Sequence, residues 1–453
     1  MLKMLRLQGF KSWADTGSME LRPITGLFGA NSSGKTSILQ FLLLMKQTAE
    51  SPDRQLVLDF GDEQSPVSLG SFRDIVFDHS PEGELRGQLE WHLTKPLRIT
   101  DPKSPKSTLY SVESMGFETV ISSNGNGSLA VQRFEYRFDG HEFGMRREAD
   151  RSSEYELLED PGGYHFERTV GRPKALTSPS KCYGFPDQVR ASYQNAGFLA
   201  DLQVAFEGFL QGIYYLGPLR GYPERQYLWS GAQPGDVGRR GEQAVNALLA
   251  SQARGKYISP GPRRPKRSLE EVVAIWLRDL GLISDFRLER IADDSNLYRV
   301  SVRKTLRSPY VLLTDVGFGV SQVLPILVLC YYVPEGSIVI LEQPEIHLHP
   351  AVQAGLADVF IDAAKTRGIQ VVFESHSEHL LQRLQLRIAE EQLASADAAL
   401  YFCDFRDDRS HLKRLEVDLF GNITNWPQDF FGDPLGDAAA AAEAAFRRSR
   451  GAS

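Results

Sequence analysis

Apolar and polar residues alternate over three segments in the first third of the chain. These segments are residues 85–91, 107–120 and 129–138, and a period of two is typical of strands with one buried face. The sequence Asn-Gly-Asn-Gly at 124–127 is a turn sequence that joins the last two as a hairpin. The pattern therefore predicts an antiparallel sheet.

Unbroken apolar runs predict a second kind of strand. Residues 24–28, 337–341 and 370–373 are short and mostly apolar, which is typical of strands buried on both faces of a sheet. A helical pattern follows each run, and two more strands are predicted at 399–405 and 413–419. Strands that alternate with helices predict an α/β core with a mixed central sheet, flanked by the antiparallel sheet.

The middle of the chain lacks this regular order. Helical patterns at 191–210, 242–249 and 269–280 are separated by long polar and proline-rich loops. We therefore predict four parts: 1–138, the N-terminal part of the core with the antiparallel sheet; 139–284, an insertion of helices and loops; 285–412, the C-terminal part of the core; and 413–453, a final strand, loop and alanine-rich helix.

A glycine-rich segment lies between the first apolar run and its helix, at residues 29–36. It fits the pattern G-x-x-x-x-G-K-S/T, in which glycines let the backbone turn tightly and point several N–H groups at phosphate oxygens. Lys35 adds a positive charge, Thr36 a hydroxyl ligand for Mg²⁺, and the following helix the positive end of its dipole. The predicted nucleotide-binding residues are Asn31, Ser32, Ser33, Gly34, Lys35, Thr36 and Ser37.

Polar residues follow the two later apolar runs. Glu342 ends the run that begins at 337, and Gln343 and Glu345 come directly after it. The next run leads towards His376. The carboxyl ends of parallel strands meet at the edge where the phosphate loop lies, so an acid in this position serves the metal or the attacking water.

Composition narrows the class of protein. The 453 residues are 42% hydrophobic and 24% charged with a formal net charge of -7, as in soluble globular proteins of two or three domains. Three widely spaced cysteines form neither a disulfide framework nor a zinc site. We find no bilayer-spanning run and no signal peptide, and expect a cytoplasmic protein without a membrane partner. The acidic balance disfavours a dedicated DNA binder, although a basic loop at 259–267 offers a local contact.

The order of these motifs resembles that of ABC-type ATPases of the SMC/RecF/OLD branch. Such proteins carry a phosphate loop near the N-terminus, then a glycine-rich signature segment, an acidic strand end and a strand-end histidine. Within the branch, residues 342–350 match E-x-P-E-x-H-L-H-P, the motif of stand-alone bacterial ATPases and of anti-phage ATPase subunits of the PARIS and OLD-like kinds. The resemblance covers residues 1–50 and 311–380 most fully.

The resemblance implies a role for each matching residue. The cofactors would be ATP and Mg²⁺, with Thr36 and Glu342 on the metal. Residues 317–321 stand at the signature segment, whose backbone N–H groups reach the γ-phosphate held by the opposite subunit. The working unit would be an ATP-dependent head-to-tail dimer or a higher homo-oligomer. The implied catalytic residues are Glu342, Gln343, Glu345 and His376, and the implied signature contacts are Gly317, Gly319 and Ser321.

Two departures from the family pattern bear on catalysis. The signature segment reads Val-Gly-Phe-Gly-Val-Ser-Gln from residue 316 and lacks the usual Ser-Gly-Gly core. Gln343 occupies the usual position of the catalytic glutamate, and an amide is not a general base. Either Glu345 is the base of an ATPase of the EC 3.6 class, or hydrolysis is slow and the protein is a switch held by ATP.

Two functions follow from the resemblance. The first is a sensor or scaffold of a bacterial anti-phage defence module, which controls a separate effector protein such as a nuclease, because we find no nuclease motif after His376. The second is a RecF-like ATPase that acts directly on DNA in repair or maintenance. DNA-stimulated turnover would favour the second.

Overall fold

The structure is a computed structural model that describes residues 1–80, 82–101, 104–124, 127–148, 154–172, 175–259, 265–317, 319–427 and 448. Four predicted features fall wholly or partly outside these residues. They are the middle of the hairpin turn at 124–127, Phe318 of the signature segment, the centre of the basic loop at 259–267, and the alanine-rich helix near the C-terminus.

The strands, in chain order, are β1 (Leu2–Phe10), β2 (Trp13–Asp15), β3 (Met19–Glu20), β4 (Ile24–Gly29), β5 (Glu84–Asp101), β6 (Ser104–Ser123), β7 (Leu129–Phe138), β8 (His141–Arg147), β9 (Tyr155–Leu157), β10 (Ile213–Leu216), β11 (Tyr227–Leu228), β12 (Tyr257–Ile258), β13 (Arg267–Ser268), β14 (Asp285–Arg290), β15 (Leu297–Arg303), β16 (Val311–Leu312), β17 (Ile338–Glu342), β18 (Gln370–Ser375), β19 (Ala398–Arg406) and β20 (Arg409–Leu415).

The α-helices, in the same order, are α1 (Lys35–Glu50), α2 (Phe72–Ile75), α3 (Asp187–Ser192), α4 (Leu199–Gln211), α5 (Ala244–Ala253), α6 (Leu269–Asp279), α7 (Gly319–Tyr332), α8 (Pro350–Arg367) and α9 (Glu378–Ala389). Among the described residues, none of them combines the length and apolar character needed to cross a membrane.

The central sheet has the order β10-β17-β18-β4-β19-β20. Its first five strands are parallel, and β20 returns antiparallel to β19. Every residue of β4, β17 and β18 is buried, as their apolar runs predicted. The parallel register brings the carboxyl ends of these three strands to one edge, where α1 begins.

The outer antiparallel sheet has the order β2-β1-β5-β6-β7-β8-β9, with β3 paired to β1. The predicted strands are present, but β5 and β6 are longer than their alternating segments. Its inner face packs on α1 and α4. The rings of Phe10 and Phe41 meet edge to face with centroids 5.8 Å apart, and Trp91 stacks on Phe209 at 4.7 Å.

Two hydrophobic cores lie on the two faces of the central sheet. Alternate residues of β17 enter different cores: Ile338 and Ile340 join the core of the outer sheet, and Val339 and Leu341 join the core under α5–α9. A small sheet in the order β11-β15-β14, with β16 on β15, packs beside the second core, and β12 pairs with β13. The structure thus confirms the predicted α/β class, a phosphate-loop core with a mixed central sheet and a flanking antiparallel sheet.

The stretch at 139–284 is less separate than an insertion of helices and loops. It supplies β8 and β9 to the outer sheet and β10 to the edge of the central sheet. The helix predicted at 191–210 begins later, as α4 at Leu199, because Asn195 bonds the backbone of Glu167 and His165 instead. The division into four parts stays a prediction.

The last predicted strand is shifted in sequence. It was placed at 413–419, but β20 spans Arg409–Leu415. The reason is a tight turn at Asp407 and Asp408, whose φ values of 50° and 57° are those of a two-residue hairpin turn. That turn pairs Arg406 with Arg409 and fixes the register.

Candidate nucleotide site

The phosphate loop folds around the ammonium of Lys35. This nitrogen lies 2.7 Å from the carbonyl oxygen of Ala30, 3.2 Å from that of Gly29 and 3.4 Å from Oγ of Ser33. Burial lowers the pKa of Lys35. Gly34 precedes α1 with a φ of 88°, a left-handed conformation that favours glycine. The predicted strand, loop and helix are therefore all present.

The remaining predicted residues of the loop differ in exposure. Asn31 and Ser32 are exposed on its rim, whereas Ser33 is buried beneath it. The backbone N–H of Ser37 donates to the carbonyl of Gly34 at 3.1 Å and so belongs to the first turn of the helix. Exposed backbone on the rim with a buried cation inside is an arrangement that suits an anion.

The back of the loop is held by two other parts of the chain. The indole nitrogen of Trp13 donates to the carbonyl of Gly34 at 3.0 Å. A Cβ atom at Gly34 would lie 2.4 Å from Oγ of Ser410 and 2.8 Å from Oγ of Ser12, which themselves are 2.6 Å apart. The turn of the outer sheet and the start of β20 therefore fix the loop, which the sequence pattern did not predict.

Two glutamates stand side by side at the ends of neighbouring strands. Glu342 of β17 and Glu374 of β18 are register partners, and both are buried. The hydroxyl of Thr36 donates to Oε2 of Glu374 at 2.6 Å. Burial, and next the charge of Glu374, raise the pKa of Glu342 to about 7. Burial also raises the pKa of Glu374.

Sequence reasoning missed Glu374, although a signal was present. Like Glu342, it follows a run of apolar residues that ends at the carboxyl edge of the sheet. The sequence prediction names only His376 at the polar end of that strand. The structure places Glu374 in direct contact with the hydroxyl of Thr36.

Residues from β10 and the following loop hold Glu342. The hydroxyl of Tyr215 donates to its carboxylate. The buried guanidinium of Arg220 donates to the carbonyl of Glu342 at 3.3 Å and to that of Gln343 at 3.1 Å. Burial lowers the pKa of Arg220 to about 10, so it remains a cation at neutral pH. Sequence reasoning missed both roles.

Gln343 begins the turn after β17. Its φ of 42° is left-handed, and its backbone N–H donates to the carbonyl of Glu374 at 3.0 Å. This bond and the one from Arg220 hold the backbone of Gln343 at the strand end. The side chain is half-buried.

Glu345 and His376 lie together at the same edge. The backbone N–H of His376 donates to Oε1 of Glu345 at 2.6 Å. Among the described residues, Oε2 of Glu345 is buried without a hydrogen-bond partner. Burial raises the pKa of Glu345. The imidazole of His376 bonds the carbonyl of Gly29, and burial followed by the charge of Lys35 lowers its pKa, so the ring is neutral at pH 7.

The signature segment lies in a separate groove. Gly317 is exposed, Gly319 begins α7, and Ser321 is buried in its first turn. The groove has a volume of about 610 Å³ and is lined from residues 282–352, including Gly317, Gly319, His347 and His349. The phosphate loop at residues 29–36 is not among the residues that line this groove. The structure therefore places Glu345 and His376 beside the loop, and Glu342 and Gln343 one strand farther along the same sheet edge. Gly317 and Gly319 lie in the separate groove.

The residues present at the site fit Mg²⁺. This ion keeps several waters and takes one or two protein oxygens together with phosphates, which the Thr36 hydroxyl and the nearby carboxylates can supply. In the part of the chain that the structure describes, no three His, Cys, Asp or Glu side chains converge as a metal cage.

Two families match parts of the chain. Residues 287–382 match the family described as "AAA domain, putative AbiEii toxin, Type IV TA system", and residues 393–440 match one described as "Protein of unknown function (DUF3696)". The first match contains the signature segment, Glu342 and His376. No curated protein matches the sequence.

Solved structures of SMC heads resemble the chain at low similarity. The SMC head domain from Thermotoga maritima is 12% identical, with a TM-score of 0.41 over 92% of this chain and 99% of that one. An SmcHead bound to the C-winged helix domain of ScpA is 11% identical, with a TM-score of 0.44 over 92% and 98%. An Smc head with an extended coiled coil, bound to the C-terminal domain of ScpA derived from Pyrococcus furiosus, is 9% identical, with a TM-score of 0.43 over 92% and 96%. Likenesses of this degree carry no conclusion about function.

The family match agrees with the site in one respect. The segment it covers supplies the acid and the histidine that the structure places beside the phosphate loop. Because the family is described as an AAA domain, the match supports an ATPase-type domain over this segment.

Proposed function

We propose that the protein binds ATP with Mg²⁺ at the phosphate loop and hydrolyses it. One arrangement carries the proposal: a buried Lys35 ammonium inside the loop, with Thr36, Glu345 and His376 at the same sheet edge. Such an edge suits phosphoryl transfer, in which the protein positions the phosphates and stabilises their charge.

Each residue has a task that its contacts support. Lys35 would exchange the loop carbonyls for phosphate oxygens. The carboxylate of Glu345 has one oxygen fixed by His376 and one left to polarise a water molecule. His376 links this acid to the loop, because its backbone N–H donates to Glu345 and its neutral imidazole donates to the carbonyl of Gly29. Its ring would therefore sense whether the loop is filled. Bound Mg²⁺ would neutralise charge on the phosphates.

We further propose that a second copy of the chain completes the site. Gly317 lies just before α7 and Gly319 begins it, at the helix end where backbone N–H groups lack helical partners and attract anions. They share their groove with His347 and His349. A head-to-tail dimer would place this groove over the nucleotide of the partner copy.

The cellular role we propose is that of a cytoplasmic sensor or scaffold in an anti-phage defence module, of the PARIS or OLD-like kind. The support is the motif at 342–350 and a family whose description names an AbiEii toxin of a toxin–antitoxin system. A separate effector protein, such as a nuclease, would carry out the defence reaction that this protein controls.

One set of measurements on the purified chain tests the proposal. We expect ATP and Mg²⁺ to raise its mass in light scattering, and phosphate release to be indifferent to DNA. The matched control is Lys35→Ala, which should lose both effects. Nuclease activity of the chain alone would contradict the separate effector, and turnover stimulated by DNA would favour the RecF-like alternative. Absence of ATP binding would overturn the proposal as a whole.

A further inference from the structure

We propose that Glu374, at the end of β18, is the carboxylate on the metal side of this site, in the position that the sequence assigned to Glu342. The inference rests on the proposed ATP-dependent function and names the residue that controls its Mg²⁺ dependence. It makes Glu374 a positioning residue that acts through the hydroxyl of Thr36.

The first argument is a direct contact. Thr36 has a single hydroxyl proton, and it donates that proton to Oε2 of Glu374 at 2.6 Å. The lone pairs of the hydroxyl oxygen are therefore left for a cation. A carboxylate that accepts from a metal-ligating hydroxyl orients the ligand and strengthens it as a donor. Glu374 is 2% exposed, so water does not compete for the bond.

The second argument is the order of the strands. β18 is the direct neighbour of β4, and Glu374 pairs in register with Leu27, two residues before the phosphate loop begins. Glu342 lies one strand farther away, on β17. Neighbouring strands are about 4.8 Å apart, so the backbone of Glu342 is roughly twice as far from β4 as that of Glu374.

The third argument is where Glu342 makes its own bonds. Its carboxylate accepts from Tyr215, which belongs to β10 on the side of β17 away from the phosphate loop. Arg220 holds its backbone carbonyl from the same side. The two adjacent glutamates are therefore bonded in opposite directions, and Glu374 is the one bonded towards the loop.

Charge makes the assignment testable. Without nucleotide, Lys35 is the cation that faces Glu374. Phosphates that draw Lys35 to themselves would leave Glu374 next to a second anion. Repulsion between the phosphates and the Glu374 carboxylate should therefore lower the affinity for nucleotide in the absence of a divalent cation. Mg²⁺ should relieve that repulsion. Substitution of a residue with only a structural role would not selectively change either the nucleotide affinity without Mg²⁺ or the affinity for Mg²⁺.

The experiment compares Glu374→Gln with Glu342→Gln, a matched variant at the register partner. A fluorescent ATP analogue is titrated first in EDTA, and Mg²⁺ is then titrated into the protein–nucleotide mixture. We expect Glu374→Gln to bind the analogue in EDTA at least as well as wild type. We expect its apparent affinity for Mg²⁺ to fall on the order of 10- to 100-fold, and that of Glu342→Gln by less than about threefold.

The outcomes separate this inference from the proposed function. A larger loss of Mg²⁺ affinity in Glu342→Gln, or equal losses in both variants, would overturn the role of Glu374 while ATP binding stands. Absence of analogue binding by wild type in either condition would overturn both. If Glu374→Gln does not fold, Glu374→Asp is measured instead. It keeps the charge but shortens the side chain, so an intermediate loss of Mg²⁺ affinity is expected, and an unchanged affinity would contradict the assignment.

Discussion

Glu345 presents one bonded and one buried, unbonded carboxylate oxygen beside the phosphate loop. The backbone of Gln343, where the family carries its catalytic glutamate, is fixed by Arg220 and β18 instead. At the scale of single residues, this contrast favours Glu345 over Gln343 as the base of the proposed ATPase. An acid can accept a proton from water, and an amide cannot.

We therefore expect Glu345→Gln to lower ATP turnover by about 10²- to 10⁴-fold while the affinity for ATP is kept. Steady-state phosphate release and equilibrium binding of ATP measure the two quantities. Gln343→Ala is the companion variant, and its turnover should fall less. Unchanged turnover in Glu345→Gln would remove it as the base and leave the switch held by ATP.

Single residues were predictable where the motif is local. Residues 31–37 follow one another in the chain, and their spacing alone indicates their chemistry. Tyr215 and Arg220 could not be found this way, because they reach Glu342 only through the pairing of β10 with β17. Glu374 was within reach, but only the strand order shows that it lies next to β4.

At the scale of elements, the contact between the outer sheet and α1 depends on a missing side chain. A Cβ atom at Gly87 of β5 would lie 2.2 Å from Cζ of Phe41, which is packed against Phe10. The ring cannot retreat without disturbing the core behind it. The glycine therefore allows the sheet to approach the helix that carries the phosphate loop.

Gly87→Ala should lower the free energy of unfolding by about 1–3 kcal/mol, because it overpacks this contact. Denaturant unfolding measures it. Gly116→Ala in neighbouring β6 is the control, because its Cβ would meet nothing closer than 3.4 Å, and its stability should stay within about 0.5 kcal/mol of wild type. Equal stabilities of the two variants would show that the outer sheet adapts.

A buried carboxylate ties the end of the outer sheet to the loop that follows it. Asp160 accepts from the ring of His141 at 2.9 Å and from the backbone N–H groups of Glu142 at 2.9 Å and Tyr164 at 2.8 Å. Burial alone would raise the pKa of Asp160, but these bonds together lower it. A folded pKa below the unfolded value stabilises the fold above the unfolded pKa, and the gain is lost as the pH falls through the folded pKa.

We therefore expect Asp160→Asn to be less stable than wild type by about 1–3 kcal/mol at pH 7, because the amide cannot accept all three bonds. The difference should shrink as the pH falls below about 4, where the wild-type carboxyl begins to take up its proton. Unfolding curves from pH 7 down to pH 2 measure it. A difference that stays constant over this range would contradict the role of the charge.

Elements were predictable where packing agrees with local pattern. The buried strands and α6 lie where their apolar periods place them. The strand β10 was not distinguished as part of the core, because four residues carry little periodicity and its partner β17 is remote in sequence. The shift of β20 came from the turn at Asp407 and Asp408, whose geometry outweighed the apolar pattern beyond it.

At the scale of the whole molecule, the proposed dimer depends on the exposed start of α7. A Cβ atom at Gly317 would meet no atom beyond its chain neighbours within 4 Å, so we expect a larger residue at this exposed position to leave the single chain folded. We expect Gly317→Arg to bind ATP like wild type and to stay monomeric in light scattering, because its side chain would enter the partner's site. Gly235→Arg, at another exposed and open glycine, should assemble normally. Assembly of Gly317→Arg would place the interface elsewhere.

The position of β4 between β18 and β19 has a consequence for the synthesis of this protein on the ribosome. The phosphate loop is synthesised more than 300 residues before its sheet neighbours, which are residues 370–375 and 398–406. At about 5–20 residues per second, the nascent strand waits roughly 20 to 70 seconds for its first neighbour. Until then the apolar helix after it has no central sheet to cover. We therefore expect a nascent chain shorter than residue 406 to leave the proposed nucleotide site unfinished, because both sheet neighbours of β4 are still missing.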